Sequence, residues 1–428
     1  MPTQPSANIF KTFFKWSLLA IIGYWPVATL VFGHSSIDES KGIYTFHWSG
    51  LNALVNDEEF GFANGEEVAT KLDGADGPYV FGQEQFIVTA DNKIIKSQID
   101  PRLPIKVKAA NEDQDSFYVT LKTTYQPQQD QYALPAKLMA ISDIEGNFDA
   151  FASFLIKHGV MDRHYNWTFG QGHLVLNGDF VDRGENEPQV LWLIYLLEDK
   201  AAAQGGQVHY ILGNHEVMKL YGDYSYTEYK YREVAKQISG FSDWGTSAKF
   251  LYGPTSELGK WLKTKNVVLK MGPYLFVHAG INSNLLAHQL TVSEINQIAR
   301  KYYGQDAKDK VTDPKEKTVL SKYDSPYWDR SLSMNLVYRI MYLFRDPLEA
   351  NYHKTTQAEL EQILAFYDVS QLVVGHSVVQ DITTDYQGKV VKIDVRHGQE
   401  KNSDKTEGIL IENNTVYRID GQGHKEKL

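Results

Sequence analysis

Five polar clusters carry the residues able to do chemistry: Asp143-Ile144-Glu145-Gly146, Gly178-Asp179-Phe180-Val181-Asp182-Arg183-Gly184, Gly213-Asn214-His215-Glu216, His278-Ala279-Gly280 and Gly375-His376. Each stands directly behind an apolar run. Taken singly, His278 or Gly375-His376 reads as a structural feature, and Asp179 with Asp182-Arg183 reads equally well as a turn with an ion pair. Their joint occurrence points elsewhere, because a hydrophobic core has no use for five polar strand ends. Asp143, Glu145 and Asp179 offer carboxylates, Asn214 an amide oxygen, and His278 and His376 imidazoles. Such oxygen and nitrogen donors, with no thiolate, suit two hard or borderline divalent ions better than one. Paired ions about 3.5–4 Å apart clamp a phosphate, lower the pKa of bound water and stabilise both oxygens of an in-line displacement. One ligand must lie between the ions, and a carboxylate such as Asp179 has two oxygens with which to bridge them. The leaving oxygen needs a proton, which His215, next to Asn214, can give if an Asp orients its ring.

Composition agrees with this chemistry. The 428 residues include 13 His and no Cys, which excludes disulfides, thiolate zinc sites, iron–sulfur clusters and a cysteine nucleophile. With 43% hydrophobic and 22% charged residues the chain is globular, not disordered, collagenous or a coiled-coil rod. A net charge of −10 argues against a protein that holds nucleic acid by its phosphates.

The elements that must position these clusters alternate between strand and helix. Lys137 to Ser142, His173 to Leu176, Gln207 to Leu212 and Leu372 to Val374 are short apolar runs, and Val267 to Val277 holds a hairpin turn at Gly272-Pro273. A helix carrying Phe148, Phe151 and Leu155 on one face ends at Gly159, another spans Pro188 to Glu198, and Thr291/Glu294 and Thr356/Glu359 form capping boxes. This order predicts an α/β domain over 136–428 whose strand ends converge on one crevice. From Gly388 onward, Lys389 to Val395, Gly408 to Glu412 and Asn414 to Ile419 complete a sheet. Residues 38–135 read as a β-rich module, with a hairpin at Asp91-Asn92. The 16 acidic against 8 basic residues between Ile37 and Asp130 hold most of the chain's net charge.

Residues 1–37 read as a signal peptide or membrane anchor. Lys11 and Lys15 precede the apolar run Trp16 to Phe32, and Asp38 and Glu39 follow it, an order that places the catalytic domain outside the cytoplasm, periplasmic or membrane-anchored. Membrane contact is expected through residues 16–32.

The motif set resembles the metallo-dependent phosphoprotein phosphatases of the calcineurin-like superfamily, whose signatures are GDxHG, GDxxDRG, GNHE, HGG and a late histidine. GDFVDRG together with GNHE is the specific part. GNHEVMKLYGDYSY, FVHAGI, SPYWDR and VVGHS look like the bacterial Shewanella-like branch. The resemblance implies a metallophosphoesterase-type β-sandwich flanked by helices, with metal held by Asp143, Asp179, Asn214, His278 and His376 and Asp179 bridging. It implies His215 as the acid, supported by Asp182, and Arg183 as a phosphate contact; Arg330 in SPYWDR is the candidate second clamp, unless it pairs with Asp329 or Asp324. The implied activity is phosphomonoester hydrolysis by a metal-bound hydroxide, on phosphoprotein, phosphopeptide or a small phosphomonoester, with no nucleic acid partner.

Two positions depart from the family pattern. Glu145 stands where the family has His, and Ala279 where it has Gly. Glu145 can reach a metal from the same loop, and an oxygen ligand favours Mn²⁺, Mg²⁺ or iron over Zn²⁺. Its extra charge makes the site less attractive to a dianion. Other readings compatible with these residues are a nucleotide or dinucleoside-polyphosphate hydrolase and a non-catalytic phosphate-binding or interaction protein. Insertions at Tyr221 to Gly253 and Tyr302 to His353 carry Tyr224, Tyr226, Tyr229, Tyr231, Trp328 and Tyr338. These form either a substrate-receiving lid or helices packed by aromatic residues, and Arg339 and Arg345 are further candidate anion contacts.

Overall fold

The computed structural model describes residues 70–307, 310–334 and 352–428 throughout and, before these, helical residues between 12 and 27 and three strands. The chain divides into two compact units, Met1–Ala69 and Thr70–Leu428. In the first, Ser35–Ile37, Tyr44–Ser49 and Glu59–Asn64 pair antiparallel in that order. Residues 21, 25, 26 and 28–32 of the expected apolar leader lie outside the described residues. Among the described residues no helix is long and apolar enough to cross a membrane. Tyr338, Arg339 and Arg345 also lie outside them.

The second unit is built on two six-stranded sheets. In one, Lys137–Ile141, His173–Asn177 and Gln207–Ile211 run parallel, and Glu407–Glu412, Thr415–Asp420 and Lys425–Lys427 continue it antiparallel. In the other, Tyr274–Val277 lies parallel to Gln371–Val374 and antiparallel to Val268–Met271, the turn falling at Gly272-Pro273 as expected. Val390–Lys392, Thr383–Asp385 and Gln131–Tyr132 fill its flanks. The period of two along each strand sorts the side chains into layers. Leu138, Ala140, Val175, Phe276, Val373 and Ile409 share the core between the sheets. Met139, Ile141, Leu174 and Leu176 belong to the outer layer with Phe151 and Phe154 of the helix Phe148–Lys157 and Leu191 of the helix Glu187–Ala202. Each large side chain taken fully out of water contributes about 1.5–3 kcal/mol. Both predicted capping boxes form, at Thr291/Glu294 and Thr356/Glu359.

The segment expected as part of a separate β module from 38 to 135 falls on both sides of the unit boundary. From Thr70 onward it belongs with the sandwich. Asp76–Phe81, Glu84–Val88 and Ile94–Gln98 form a three-stranded sheet, the last two joined by the predicted hairpin, and Ile105–Lys108 pairs with Ser116–Val119. So few short strands cannot bury an apolar face among themselves. Tyr79, Val80, Val107 and Phe117 enter the outer core instead. Trp192 Nε1 on the Glu187–Ala202 helix donates to the Pro78 carbonyl at 2.9 Å, and Gln189 Nε2 donates to Asp76 Oδ1 at 3.0 Å. The covering explains why this helix is buried from Glu187 to Leu197 with no polar stripe to betray its exposed side.

Candidate active site

Ile141, Asn177, Ile211, Val277 and Val374 end five strands of the two sheets, and the polar clusters follow immediately. Asn177, fully buried, ties the sheets together there by donating Nδ2–H to the Val277 carbonyl at 3.1 Å. The turns are tight. Asp143, Glu145, Asp179, Asp182, Arg183 and His376 all adopt φ between 50° and 68°. Left-handed backbone at a residue with a Cβ costs on the order of 1–2 kcal/mol, and such strain persists only where surrounding contacts over-determine it. At Asp179 Glu216 supplies such contacts: its carboxylate accepts from the N–H groups of Asp179 (2.9 Å), Phe180 (2.7 Å) and Gly213 (2.8 Å) and from the Tyr210 hydroxyl (2.8 Å). Gly213 and Gly375 are needed for close approach. A Cβ at Gly213 would run into the Asp179 carboxylate, and one at Gly375 into the Ser142 hydroxyl and the Asp143 carboxylate.

The side chains so placed converge. Asp179, His278 and His376 bring one ligand atom each within 4.8 Å of one another. Asp179 Oδ2 lies 3.0 Å from His278 Nε2, and Asn214 Oδ1 lies 3.2 Å from His278 Nε2, 3.3 Å from Asp179 Oδ2 and 2.9 Å from His376 Nδ1. His278 donates Nδ1–H to the Asn177 carbonyl at 2.8 Å, which fixes the tautomer and turns the Nε2 lone pair inward. Asp143 is buried beside them, with its carboxylate accepting from the Ser142 hydroxyl and from His376 N–H. Four buried acceptors facing one another, with the Asp143 carboxylate as a fifth beside them, form an arrangement that a positive charge at their centre makes favourable. The electrostatics give the same answer. Burial, with Asp179 adding to it against the opposing pull of His278, lifts Asp143 to about 6. Burial lowers His278, but the Asp179 and Asp143 carboxylates outweigh it and raise it to about 10. The cluster thus recruits a proton where it has no cation, and protons and divalent ions compete for such a set. His376 Nε2 is buried without a hydrogen-bond partner. The residues fit a divalent metal centre.

His215 and Asp182 stand at the edge of the cluster. His215 Nδ1 lies 2.8 Å from Asp182 Oδ2, its Nε2 lies 3.7 Å from Asp179 Oδ2, and its N–H donates to Asp179 Oδ1 at 3.0 Å. Burial raises Asp182, but Lys219 and His215 more than cancel that and hold it at about 2.

Glu145 is not among the side chains that bring ligand atoms within 4.8 Å of one another. Its carboxylate is ion-paired with the Arg183 guanidinium. Arg183 also stacks on the Tyr226 ring at 5.0 Å, and Tyr226, 45% exposed, lies 4.9 Å from the His215 ring. Arg330 Nη1 donates to Ser377 Oγ at 3.3 Å, beside His376, while Asp329 accepts from Tyr352, Ser331 and Asn282, and Asp324 from Asn282 and Asn284. Trp328 meets the His376 ring edge-on at 5.8 Å. Of the insertion aromatics, Tyr226 and Trp328 therefore flank the cluster. Tyr231 is packed inside, and Tyr224 lies against Trp244. Ala279 is absent from the left-handed residues, so alanine fits there without strain, and its N–H donates to the Pro326 carbonyl.

Glu216, Ser142 and Lys219 were not singled out by sequence reasoning. Glu216 lies within a motif already quoted, and its position third in a helix that opens at Gly213 is a capping-box signal that marks it as a holder of backbone N–H groups.

The model of the calcineurin-like phosphoesterase family matches residues 136–380. Shewanella-like protein phosphatase 1 of Plasmodium berghei is 29% identical over 261 residues, which are 60% of this chain and 65% of the relative; the chain therefore spans just under two thirds of that protein's length. Shewanella-like protein phosphatase 2 of Arabidopsis thaliana is 31% identical over 116 residues, 27% of this chain and 29% of the relative. Among solved structures, a cold-active protein-tyrosine phosphatase of a psychrophilic Shewanella species superposes with a TM-score of 0.69 at 29% identity, covering 83% of this chain and 99% of that one.

Proposed function

The chain belongs to the calcineurin-like phosphoesterase family, and from that membership we propose that it is a metal-dependent phosphomonoesterase whose substrate is a phosphoprotein or phosphopeptide. The observation that carries the reading is the convergence of Asp179, Asn214, His278 and His376 beside a buried His215–Asp182 pair. The family uses a dinuclear divalent centre. In this chain Asp143, Asp179, Asn214, His278 and His376 would hold it, with Mn²⁺, Mg²⁺ or iron as the proposed ions. When bound, such ions polarise the phosphoryl oxygens and bring water's pKa towards neutrality.

The chain's own residues do the rest. Arg183 and Arg330 grip phosphoryl oxygens through planar, multiply donating guanidinium groups. Asp182 accepts from His215 Nδ1–H, so the ring presents Nε2–H to the leaving oxygen and protonates it as the P–O bond breaks. Tyr226 and Trp328 offer ring faces to the group that carries the phosphate. A peptide side chain supplies such a group, as does the substrate named for the Shewanella phosphatase. Placement outside the cytoplasm, by the apolar run Trp16 to Phe32, belongs to the same proposal; N-terminal sequencing of the exported protein tests it.

Glu145 acts in this scheme as a competitor for Arg183 before it acts as a ligand. Both partners are partly exposed, 46% and 31%, so the pair contributes about 0.5–1 kcal/mol. Glu145→Gln is expected to lower KM for a phosphomonoester by about two- to fivefold, the same energy expressed as a ratio, with metal content unchanged. Loss of metal from this variant, measured by elemental analysis, would make Glu145 a ligand instead. The function itself is tested by incubating the purified full chain with phosphoserine and phosphotyrosine peptides before and after chelation. Hydrolysis that chelation abolishes and Mn²⁺ restores is expected; no hydrolysis under any metal would remove the proposal.

A further inference from the structure

Lys219 is fully buried in a place where nothing in the motif explains a lysine. It lies four residues after His215 on the helix Asn214–Tyr221, so both side chains leave the same face. Both meet Asp182. Lys219 Nζ lies 2.6 Å from Asp182 Oδ1, and His215 Nδ1 lies 2.8 Å from Asp182 Oδ2. The ammonium also donates to Glu187 Oε1 at 3.1 Å and to Thr227 Oγ1 at 2.7 Å, and the Thr227 hydroxyl in turn donates to Asp182 Oδ1 at 2.8 Å. Lys219, Asp182 and Glu187 side chains are 3% exposed or less. Every oxygen of Asp182 is therefore spoken for, and its carboxylate has one orientation open to it.

We propose that Lys219 is a positioning residue for the proton donor: it keeps Asp182 ionised and in the single rotamer that turns His215 Nε2 toward the leaving oxygen. The inference rests on the phosphatase reading above. During turnover the proton moves from His215 Nε2 to the departing oxygen, Asp182 stays a carboxylate and Lys219 keeps its own protons. Without the ammonium, Asp182 and Glu187 are two buried carboxylates with no cation between them, Asp182 left with the Thr227 hydroxyl and His215, and Glu187 with the Tyr252 hydroxyl at 3.5 Å. One of them must take a proton or swing away, as an isolated buried charge is not tolerated, and His215 loses its fixed acceptor.

The prediction is a selective defect. Lys219→Met should slow hydrolysis of an alkyl phosphate, such as a phosphoserine peptide, by about 10- to 100-fold, as removal of an outer positioning partner commonly does. Hydrolysis of 2,4-dinitrophenyl phosphate, whose leaving oxygen needs no proton, should stay close to that of the unsubstituted protein. In a Lys219→Met/His215→Asn double variant the losses should not add, because both act through one group. Should Lys219→Met fail to fold, Lys219→Met/Glu187→Gln removes the stranded charge and is held to the same expectation. Equal losses on both esters, or no loss on the alkyl ester, would overturn the role of Lys219 alone. If the unsubstituted chain hydrolyses neither ester, the phosphatase reading falls and this proposal falls with it.

Discussion

Asp179→Asn is expected to strip the chain of metal and of activity together. Asp179 is the one residue of the cluster whose two oxygens are committed in different directions: Oδ1 accepts from His215 N–H at 3.0 Å, and Oδ2 faces His278 Nε2 at 3.0 Å and Asn214 Oδ1 at 3.3 Å. An amide there removes the negative charge. It also turns an N–H₂ group toward one of these sides, towards the main-chain N–H or towards the inward lone pairs. Several kcal/mol of phosphoryl polarisation go with the ions, which corresponds to a loss on the order of 10³-fold or more in kcal/mol-to-rate terms. Elemental analysis after gel filtration and the turnover rate should fall in step. A variant that keeps both its metal and its rate would show that Asp179 does not hold the ions.

His215→Asn should give the opposite dissociation. Its ring lies 3.7 Å from Asp179 Oδ2 and is engaged by Asp182 on its other nitrogen, the placement expected of the proposed proton donor. Removing a general acid costs about 10²- to 10⁴-fold, and that loss should appear on alkyl phosphates with metal content unchanged. Asp182 keeps its partners Lys219 and Thr227, so the loop should retain its shape. Comparison of the two variants separates holding the ions from moving the proton. If His215→Asn lost metal as Asp179→Asn does, the division of labour proposed for the two residues would be wrong.

What could be read from sequence, and what could not, follows the range of the interactions. The strand ends, the hairpins at Asp91-Asn92 and Gly272-Pro273 and the capping boxes at Thr291 and Thr356 are set by residues a few positions apart, and periodicity and turn chemistry report them directly. The site was legible for a related reason: each polar cluster directly follows an apolar run, and Gly178, Gly213 and Gly375 mark the turns. Other features were hidden. The partner of Glu145 is 38 residues away and that of Lys219 at Glu187 is 32 away, and neither pairing leaves a mark on local pattern. Left-handed backbone at Asp143, Asp179, Asp182 and His376 runs against the preference of residues with a Cβ. Only tertiary bonds such as those of Glu216 impose it. The attachment of residues 70–135 was concealed in the same way. Their short strands look self-contained until the Glu187–Ala202 helix, apolar on nearly every side, is seen to need a cover.

Asp143, Asp179, Asn214, His278 and His376 together are proposed to hold the ions on which phosphate ester hydrolysis depends. Titrating Mn²⁺ into the chelated full chain, with bound metal and hydrolysis of a phosphoserine peptide measured at each step, tests it most directly. No hydrolysis is expected before metal is added, followed by a rate that climbs as the site fills and reaches its plateau at two ions per chain. Hydrolysis by the metal-free chain, or filling of the site without any hydrolysis, would contradict it.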